Sequence, residues 1–357
     1  MKKLFSALLL LALLTSFSPK ENEPKRATLV AVGDNLIHTS VYLGATTGAG
    51  YDFSPVYAAV AKAISGADIA TVNQETMLGE GNYSGYPRFC SPAEVGDALV
   101  GAGFDVISIA NNHSLDMGDE GFIFTEAYLS GVAEFVIGSG GVKIVERNGI
   151  KIAFLAYTYA TNYGLSPLVS RFDAATAEKD IKEAKKSADA VVVMMHWGVE
   201  YDTPRHCDTF EPTEYQIKTA RQLCEYGADV IVGTHPHVIE RVEWIEQGGR
   251  RTLCAYSLGN FVSNMRYGAE MLGGMLTLEL VKTDGGVIVK NPKVIPTVCH
   301  YDKNHRGHTV LYLKDYTDEM AAAHGTQSEP NERPFCRETL VEIYENNVAP
   351  EFRAEEY

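Results

Sequence analysis

Seven short apolar runs, rich in valine and isoleucine, constrain the fold of this chain more than any other feature. They occupy residues 27–34, 67–75, 104–113, 151–158, 188–198, 228–237 and 252–261. Such runs are typical of strands that are buried on both faces of a sheet. Segments with helical spacing lie between them, for example 173–188 and 213–228. The alternation of strand and helix predicts an α/β architecture.

The segment "SPAEVGDALVGAG" predicts a further helix. Ser91 would be its N-cap, Pro92 its first residue, and Glu94 the second member of a capping box.

The pattern changes past Gly273, where apolar and polar residues alternate on both sides of residues 284–286 and predict a hairpin. From about Leu313 the chain is polar with helical spacing. We therefore expect one main domain over residues 27–312 and a C-terminal helical tail over residues 313–357.

Charge and cysteine usage exclude several classes of function. The 357 residues carry a net charge of −15 and no stripe rich in lysine and arginine, which argues against nucleic-acid binding. The six cysteines are scattered and form no CxxC motif, which argues against a structural zinc site made of thiolates.

The N-terminus has the form of a secretory signal, which we assign to residues 1–18. Lys2 and Lys3 precede a short apolar core from Leu4 to Leu14, and small residues follow. The alternative is an uncleaved N-terminal anchor, the only membrane attachment that we expect. We predict an exported protein of the cell envelope or the extracellular space. Export permits disulfides, but the spacing of the cysteines selects no pairing.

Polar residues with metal-binding or catalytic chemistry follow nearly every apolar run. In open α/β sheets, ligands bind outside the carboxyl ends of the strands. Polar residues at six successive strand ends therefore predict one shared site, formed by Asp34; Asn73 and Glu75; Asn112 and His113; His196; His235 and His237; and Ser257 with Asn260.

The two histidines of "GTHPH" are the strongest single indication of a metal. Pro236 favours extended geometry at His235, and residues two apart in an extended chain point to the same side. Both imidazoles should then project in one direction.

Several of these residues, and Asp116 near them, also have a simpler interpretation, which is harder to give for the two histidines of "GTHPH". Asp34 would cap a helix beginning at Leu36, and His196 would be a hydrogen-bonded histidine of the core. Asp116 would cap the following helix and only secondarily orient His113. These interpretations would have to hold independently at every strand end.

The mixture of imidazoles, carboxylates and an asparagine favours a divalent transition metal, Mn, Zn or Fe, over Mg or Ca. One tetrahedral ion would not use all of these ligands, so we expect one or two ions. Two ions bridged by a carboxylate activate water and stabilise both oxygens of a displacement at phosphorus.

Six motifs together resemble the bacterial CapA-type capsule (poly-γ-glutamate) biosynthesis proteins, which are related to the calcineurin-like metallophosphoesterases. The motifs are "VGDNLIH", "TVNQET", "YPRFCSPAEVGDALVGAGFDVISIANNHSLDMGDEG", "HWGVEY", "GADVIVGTHPHVIERVE" and "YSLGNF", over about residues 28–265. The resemblance implies an α-β-β-α fold, in which two sheets form a sandwich flanked by helices. It also implies metal ligands at Asp34, Glu75 (as the bridging carboxylate), Asn112, His196, His235 and His237, with catalytic roles for His113, as general acid, and Asp116.

The sequence departs from the phosphoesterase pattern at two places. Leu36 stands where those enzymes have the histidine of an Asp-x-His motif, with His38 two residues further on, and "NQE" replaces a Gly-Asp-x-x-Asp block.

Two functions remain open. One is an exported metal-dependent hydrolase acting on a phosphoester or on a γ-glutamyl or wall-type amide. The other is a non-catalytic assembly factor for an anionic capsule polymer, working with other capsule synthesis proteins.

Two further clusters are not predicted to be ligands of this site. "CHYDKNHRGH", residues 299–308, would form either a second metal site or a solvated loop. "RHCD", residues 205–208, would line the pocket.

The signal-peptide assignment predicts a mature chain that begins between about Ser16 and Glu21. N-terminal sequencing of secreted material tests it. An intact Met1 in the envelope fraction would instead identify the segment as an anchor.

Overall fold

The computed structural model describes residues 24–200, 209–329 and 333–357. Its strands are β1 (Arg26–Asn35), β2 (Ile69–Gln74), β3 (Met77–Gly79), β4 (Cys90–Pro92), β5 (Val106–Ser108), β6 (Phe135–Ile137), β7 (Lys143–Arg147), β8 (Ile150–Thr158), β9 (Ala190–His196), β10 (Val230–Thr234), β11 (Val242–Gln247), β12 (Arg250–Ala255), β13 (Asn260–Val262), β14 (Leu272–Thr283), β15 (Gly286–His300) and β16 (Thr309–Tyr312). The α-helices are α1 (Thr39–Gly44), α2 (Ser54–Tyr57), α3 (Ala61–Ser65), α4 (Glu94–Ala102), α5 (Gly118–Val132), α6 (Ala174–Ser187), α7 (Glu214–Tyr226), α8 (Asp318–Ala323) and α9 (Arg337–Asn347). Short 3-10 helices occupy Gly268–Met271, Leu313–Asp315, Gly325–Ser328 and Pro350–Phe352.

Two large mixed sheets form the framework. The first has the order β16-β15-β14-β1-β2-β5-β6, with β13 pairing beside the end of β1. The second has the order β11-β12-β10-β9-β8-β7. In both sheets the central strands are parallel, β1 to β2 to β5 in the first and β8 to β9 to β10 in the second. Their carboxyl ends therefore meet at one edge of each sheet.

The strands alternate between an inner core and two outer cores. In β1, Leu29 belongs to the core between the sheets, whereas Val30 packs toward helices α1–α5. In β9, Val192 lies in the same inner core and Val193 packs toward α6 and α7. The predicted α/β fold, a two-sheet sandwich flanked by helices, is confirmed.

Local sequence signals explain where two of the helices begin. Asp173 caps α6 by accepting the backbone N–H of Thr176. Thr213 and Gln216 form a capping box at the start of α7, which ends at Gly227 with a left-handed φ of 117°.

The predicted N-cap at Ser91 is wrong. Ser91 lies in β4, and helix α4 begins at Glu94 after Ala93. The Ser91 hydroxyl donates to Thr76 Oγ1 at 2.8 Å, in the interior. Because the hydroxyl bonds a buried residue elsewhere in the fold, it does not cap the helix.

The predicted hairpin is present, with β14 and β15 pairing up to Thr283 and Gly286. The segment after Leu313 packs apolar side chains into the core between the sheets, among them Leu340 and Tyr344. The Tyr344 hydroxyl also donates to the Val294 carbonyl at 2.6 Å.

Several sequence predictions concern residues that the structure does not describe. The signal segment over residues 1–18 and Cys207 lie outside the described residues. The other five cysteines are free thiols. Within residues 24–200, 209–329 and 333–357, no helix is long and apolar enough to span a membrane.

Glu240 makes the stability of the fold depend on pH. Burial raises the pKa of Glu240 to about 8, although Gln216 Nε2 donates to its carboxyl group at 2.6 Å. The folded protein therefore binds a proton that the unfolded chain releases near pH 4.5, and stability falls as pH rises from about 4.5 to 8.

We predict that Glu240→Gln stabilises the protein at pH 8–9, by up to a few kcal/mol, and by much less near pH 5, because the amide keeps the acceptor without the charge. Denaturant unfolding at both pH values tests this. Glu246→Gln, at an exposed glutamate of β11, is the control and should show no such pH dependence. An equal effect of Glu240→Gln at both pH values would contradict the prediction.

Candidate metal centre

The ends of four parallel strands bring the centre together across the two sheets. In the first sheet, Asp34 of β1 is in register with Asn73 of β2, and Glu75 is the first residue after the end of β2. In the second, His196 of β9 is in register with Thr234 of β10, and His235 follows. The backbone N–H of His235 donates to Asp34 Oδ2 at 3.0 Å and so joins the two sheets.

Glu75 is fully buried, yet within the described part of the chain neither of its carboxyl oxygens has a hydrogen-bond partner. Among the described residues, His196 Nε2 lies 3.6 Å and His237 Nε2 3.8 Å from its Oε1. Because leaving a buried charged group without hydrogen bonds is costly, this carboxyl group fits a cation better than it fits a purely structural role.

Asp34 is held from several sides. Asn73 Nδ2 donates to Oδ1 at 2.7 Å, and His237 Nδ1 lies 3.4 Å from Oδ2. Asp34 caps no helix, because α1 begins only at Thr39 and has His38 as its N-cap. The capping interpretation of Asp34 is therefore wrong.

His235 and His237 reach the centre by a different backbone route from the predicted one. Their φ angles are 101° and 60°, in the left-handed half of the map, so the extended geometry predicted for His235 is wrong. Both rings nevertheless face Glu75. Strained backbone of this kind costs about 1–3 kcal/mol per residue and persists only where tertiary contacts hold it. The contact between the His235 N–H and Asp34 is one such restraint.

The protonation states in the centre depend on burial and on the two carboxylates. Burial, followed by the charge of Asp34, raises the pKa of Glu75 well above its usual value. Burial also lowers the pKa values of His196 and His235, whose neutral rings keep a lone pair for a metal. At His237, Glu75 and Asp34 outweigh burial and raise the pKa to about 10.

Two sets of three ligand atoms lie within 4.8 Å of one another, and these are the metal-compatible groups of the described residues. One set is Asp34, Glu75 and His196, and the other is Glu75, His235 and His237. Glu75 belongs to both sets, as a bridging carboxylate would. The donor types, and the oxygens of Glu75 that have no hydrogen-bond partner within residues 24–200, 209–329 and 333–357, fit one or two transition-metal ions.

Neighbouring side chains orient the candidate ligands. His237 Nδ1 lies 3.0 Å from Asn260 Oδ1, and His196 Nδ1 lies 2.9 Å from Thr234 Oγ1. Such partners fix the tautomer and direction of ligating imidazoles. Asn260 was one of the predicted strand-end residues, whereas Ser257 accepts the backbone N–H of Gly259 and contributes to the turn.

Asn112 joins the same cluster. Its Oδ1 lies 2.9 Å from His196 Nε2, and its Nδ2 donates to Glu200 Oε1 at 3.1 Å. Glu200 Oε1 also lies 3.3 Å from His235 Nδ1. Glu200 was not among the predicted site residues, although it belongs to the motif "HWGVEY". Its position four residues after His196 was the available signal.

His113 and Asp116 form a dyad beside the ligand cluster. His113 Nδ1 lies 2.7 Å from Asp116 Oδ2, which also accepts the backbone N–H of Phe89 at 2.7 Å. Helix α5 has Met117 as its N-cap without a side-chain bond, so the predicted capping role of Asp116 is wrong. The carboxylate instead holds the imidazole.

An open cavity of about 260 Å³ gives access to the centre. Polar side chains of the site line it, together with Leu36 and a rim that includes Tyr86 and Tyr163. The polar lining residues are His38, Asn112, His113, Asn162, Glu200 and His237. His38 borders the cavity but belongs to neither set of candidate ligands.

The histidines of residues 299–308 form no metal-compatible group with other described residues. Residues 303, 304, 306 and 307 of this segment are exposed, as expected of a solvated loop, whereas Tyr301 and His308 are buried. The segment 205–208 lies outside the described residues.

Comparison with known proteins agrees with the resemblance in the motifs. Residues 28–265 match the family described as "Bacterial capsule synthesis protein PGA_cap". The chain is 33% identical over 196 residues to the PGA biosynthesis protein CapA of Bacillus subtilis, covering 51% of this chain and 49% of that protein. It is 34% identical over 181 residues to the capsule biosynthesis protein CapA of Bacillus anthracis, covering 46% and 41%. The matched part is thus less than half the length of either relative.

Among solved structures, a phosphatase from Mycoplasma pneumoniae is similar with a TM-score of 0.46 and 14% identity, covering 77% of this chain and 94% of the phosphatase. The family match spans the strands that carry all six candidate ligands and the dyad. This chain therefore belongs to the bacterial capsule synthesis protein family PGA_cap.

Proposed function

We propose that this chain is an exported, metal-dependent hydrolase of capsule polymer biosynthesis. The observation that carries the proposal is the buried carboxyl group of Glu75, which has no hydrogen-bond partner among the described residues and lies among imidazoles beside an open cavity. A centre with only a structural role would not need an open cavity with a histidine–aspartate dyad in its wall.

The residues that would hold the metal are Asp34, Glu75, Asn112, His196, His235 and His237. A divalent transition metal at this position supplies an activated water and stabilises negative charge that develops on the substrate. The shared position of Glu75 accommodates either one ion or two.

His113 would be the general acid. Asp116 accepts the Nδ1–H of His113, which fixes the tautomer and leaves Nε2 as the proton-transferring atom. The ring also packs edge-on against Phe89 at 4.7 Å, so its orientation is set from two sides. With both nitrogens protonated, a ring positioned in this way would pass its Nε2 proton to the leaving oxygen or nitrogen as the scissile bond breaks.

The substrate would be a phosphoester or a γ-glutamyl or wall-type amide in an anionic capsule polymer. The names of the two Bacillus relatives support a role in capsule biosynthesis, and we expect other capsule synthesis proteins as partners. The protein itself carries a net charge of −15, so an anionic substrate would have to be attracted by the metal or by local donors in the cavity.

A non-catalytic assembly factor is the second candidate, and Leu36 favours it. This buried side chain lines the cavity at the position where the resemblance predicts a further imidazole ligand. Loss of one ligand would weaken one of two metal positions and would be tolerated in a protein that needs only the shape of the centre.

We predict that replacing both His235 and His237 by alanine lowers metal affinity by more than about a hundred-fold, because loss of an orienting partner alone costs about ten- to a hundred-fold. Elemental analysis and metal titration of the purified protein test this. His300→Ala, at a histidine paired with Tyr316 away from the centre, is the control and should keep full metal content. Full metal content in the double variant would show that the pair is not a ligand set.

The catalytic role is tested by His113→Asn in the metal-loaded protein, against phosphoesters and γ-glutamyl peptides. We predict a loss of hydrolysis of about a hundred-fold or more with metal content unchanged, since the variant removes the proton donor and leaves the ligands. Asp116→Asn should lose less. A wild-type protein that binds metal and hydrolyses neither substrate class would favour the assembly factor.

A further inference from the structure

The histidine-rich segment 299–308 takes no part in the metal centre, but it holds a wall of the cavity. Its His305 and His308 both reach Asn264, with His305 Nδ1 at 3.0 Å and His308 Nε2 at 3.1 Å from Asn264 Oδ1. Both rings also stack against Tyr301, with centroids at 5.2 and 5.0 Å. Because an amide oxygen only accepts, each imidazole presents an N–H to Asn264.

The residues on either side of Asn264 are held by the same segment. The backbone N–H of Ser263 donates to Cys299 Sγ at 3.4 Å. The Tyr301 hydroxyl donates to the carbonyl of Met265 at 2.9 Å, and Met265 lines the cavity. Three consecutive residues, 263–265, are therefore each held by a side chain of segment 299–308.

The contact with residue 264 in this wall determines which ring nitrogen of His38 carries the proton. The backbone N–H of Asn264 lies 3.1 Å from His38 Nδ1, and a backbone amide only donates, so Nδ1 must be the acceptor. The carbonyl of Leu36, 3.2 Å from the same nitrogen, would require a proton there. We assign Nδ1 as the acceptor of the amide N–H, because that amide can only donate, whereas the Leu36 carbonyl already accepts the backbone N–H of His38 at 3.0 Å.

The neutral His38 ring therefore carries its proton on Nε2. Burial lowers the pKa of His38 to about 4, which keeps the ring neutral near pH 7. His38 lines the cavity beside His113 and His237, and within the described chain both hydrogen-bond contacts of its ring are made by Nδ1, which leaves Nε2 without a partner there. The ring thus offers a fixed N–H donor to whatever occupies the cavity.

We propose that His38 is a substrate-binding residue whose Nε2–H donates to an anionic oxygen in the cavity, and that segment 299–308 is the element that positions it. The oxygen belongs to a phosphate or to a carboxylate. This inference rests on the proposed function for the identity of the occupant. His38 would thus bind the substrate and would not replace the metal ligand that is missing at Leu36. A donor held in place beforehand needs no reorganisation when negative charge arrives.

The test uses the full-length, metal-loaded protein, titrated calorimetrically with inorganic phosphate and, separately, with γ-glutamylglutamate. The variants are His38→Ala, His38→Asn and His38→Gln. The amide nitrogen of glutamine reaches the position of Nε2, whereas that of asparagine reaches only the position of Nδ1.

We expect His38→Ala and His38→Asn to weaken binding of at least one probe by about ten- to a hundred-fold, as for loss of a hydrogen bond to a charged group. His38→Gln should retain most of the affinity, and all three variants should keep full metal content. The probe that responds identifies the oxygen as phosphate or carboxylate.

Loss of metal from the His38 variants would make His38 a ligand and overturn the proposal, as would unchanged affinity in all three. A wild-type protein that binds neither probe would overturn it too. Failure of the proposed function gives a different result, since a protein that hydrolyses nothing can still bind phosphate or peptide through His38.

The positioning role is tested by His305→Ala, with His305→Asn as the conservative variant and His300→Ala as a control from the same segment. We expect His305→Ala to weaken probe binding several-fold and to alter the imidazole nitrogen NMR signals of His38. His305→Asn places its amide nitrogen near the position of the imidazole Nδ1 and should restore both probe binding and the NMR signals of His38. His300 contacts Tyr316 instead, and its replacement should change neither. Wild-type binding and signals in His305→Ala would overturn the positioning role.

Discussion

Two carboxyl groups, Asp34 and Glu75, are buried where the two sheets meet, and the rest of the site is arranged around them. Asp34 accepts hydrogen bonds from Asn73 and from the backbone N–H of His235, so it belongs to both sheets. Glu75 has no such partner in the described chain. A buried carboxyl group without hydrogen bonds destabilises a fold unless a cation or a proton compensates it. The fold thus carries a cost that metal binding would offset.

The imidazoles around the carboxyl groups differ in their pKa shifts and hydrogen-bond partners, and we propose different roles for them. Despite burial, Glu75 and Asp34 raise the pKa of His237, whereas burial keeps His196 and His235 neutral. His113 is paired with Asp116, outside the ligand cluster. His38 receives a backbone N–H from Asn264 and so keeps its own N–H for the cavity. The roles proposed for these histidines, as ligand, acid or donor, thus follow the partner of the second ring nitrogen.

Much of this could be predicted from local sequence. Buried strands appear as apolar runs because both faces of each central strand are covered, and the carboxyl ends of parallel strands lie together, so the polar residues after them had to meet. The prediction failed where a tertiary partner competed with a local one. Ser91 bonds Thr76 instead of capping α4, and Asp116 bonds His113 and Phe89 instead of capping α5.

By itself, then, the sequence determined the α/β architecture, the edge of the sheets where the site lies, and the types of side chain that meet there. Only the tertiary structure decided how they meet. The left-handed backbone at His235 depends on Asp34, two hundred and one residues away. The hydrogen bond between Asn112 and Glu200 likewise joins distant parts of the chain, as do the hydrogen bonds from segment 299–308 to Asn264. Local pattern reports burial and periodicity, whereas a hydrogen bond between distant residues exists only once the sheets have packed.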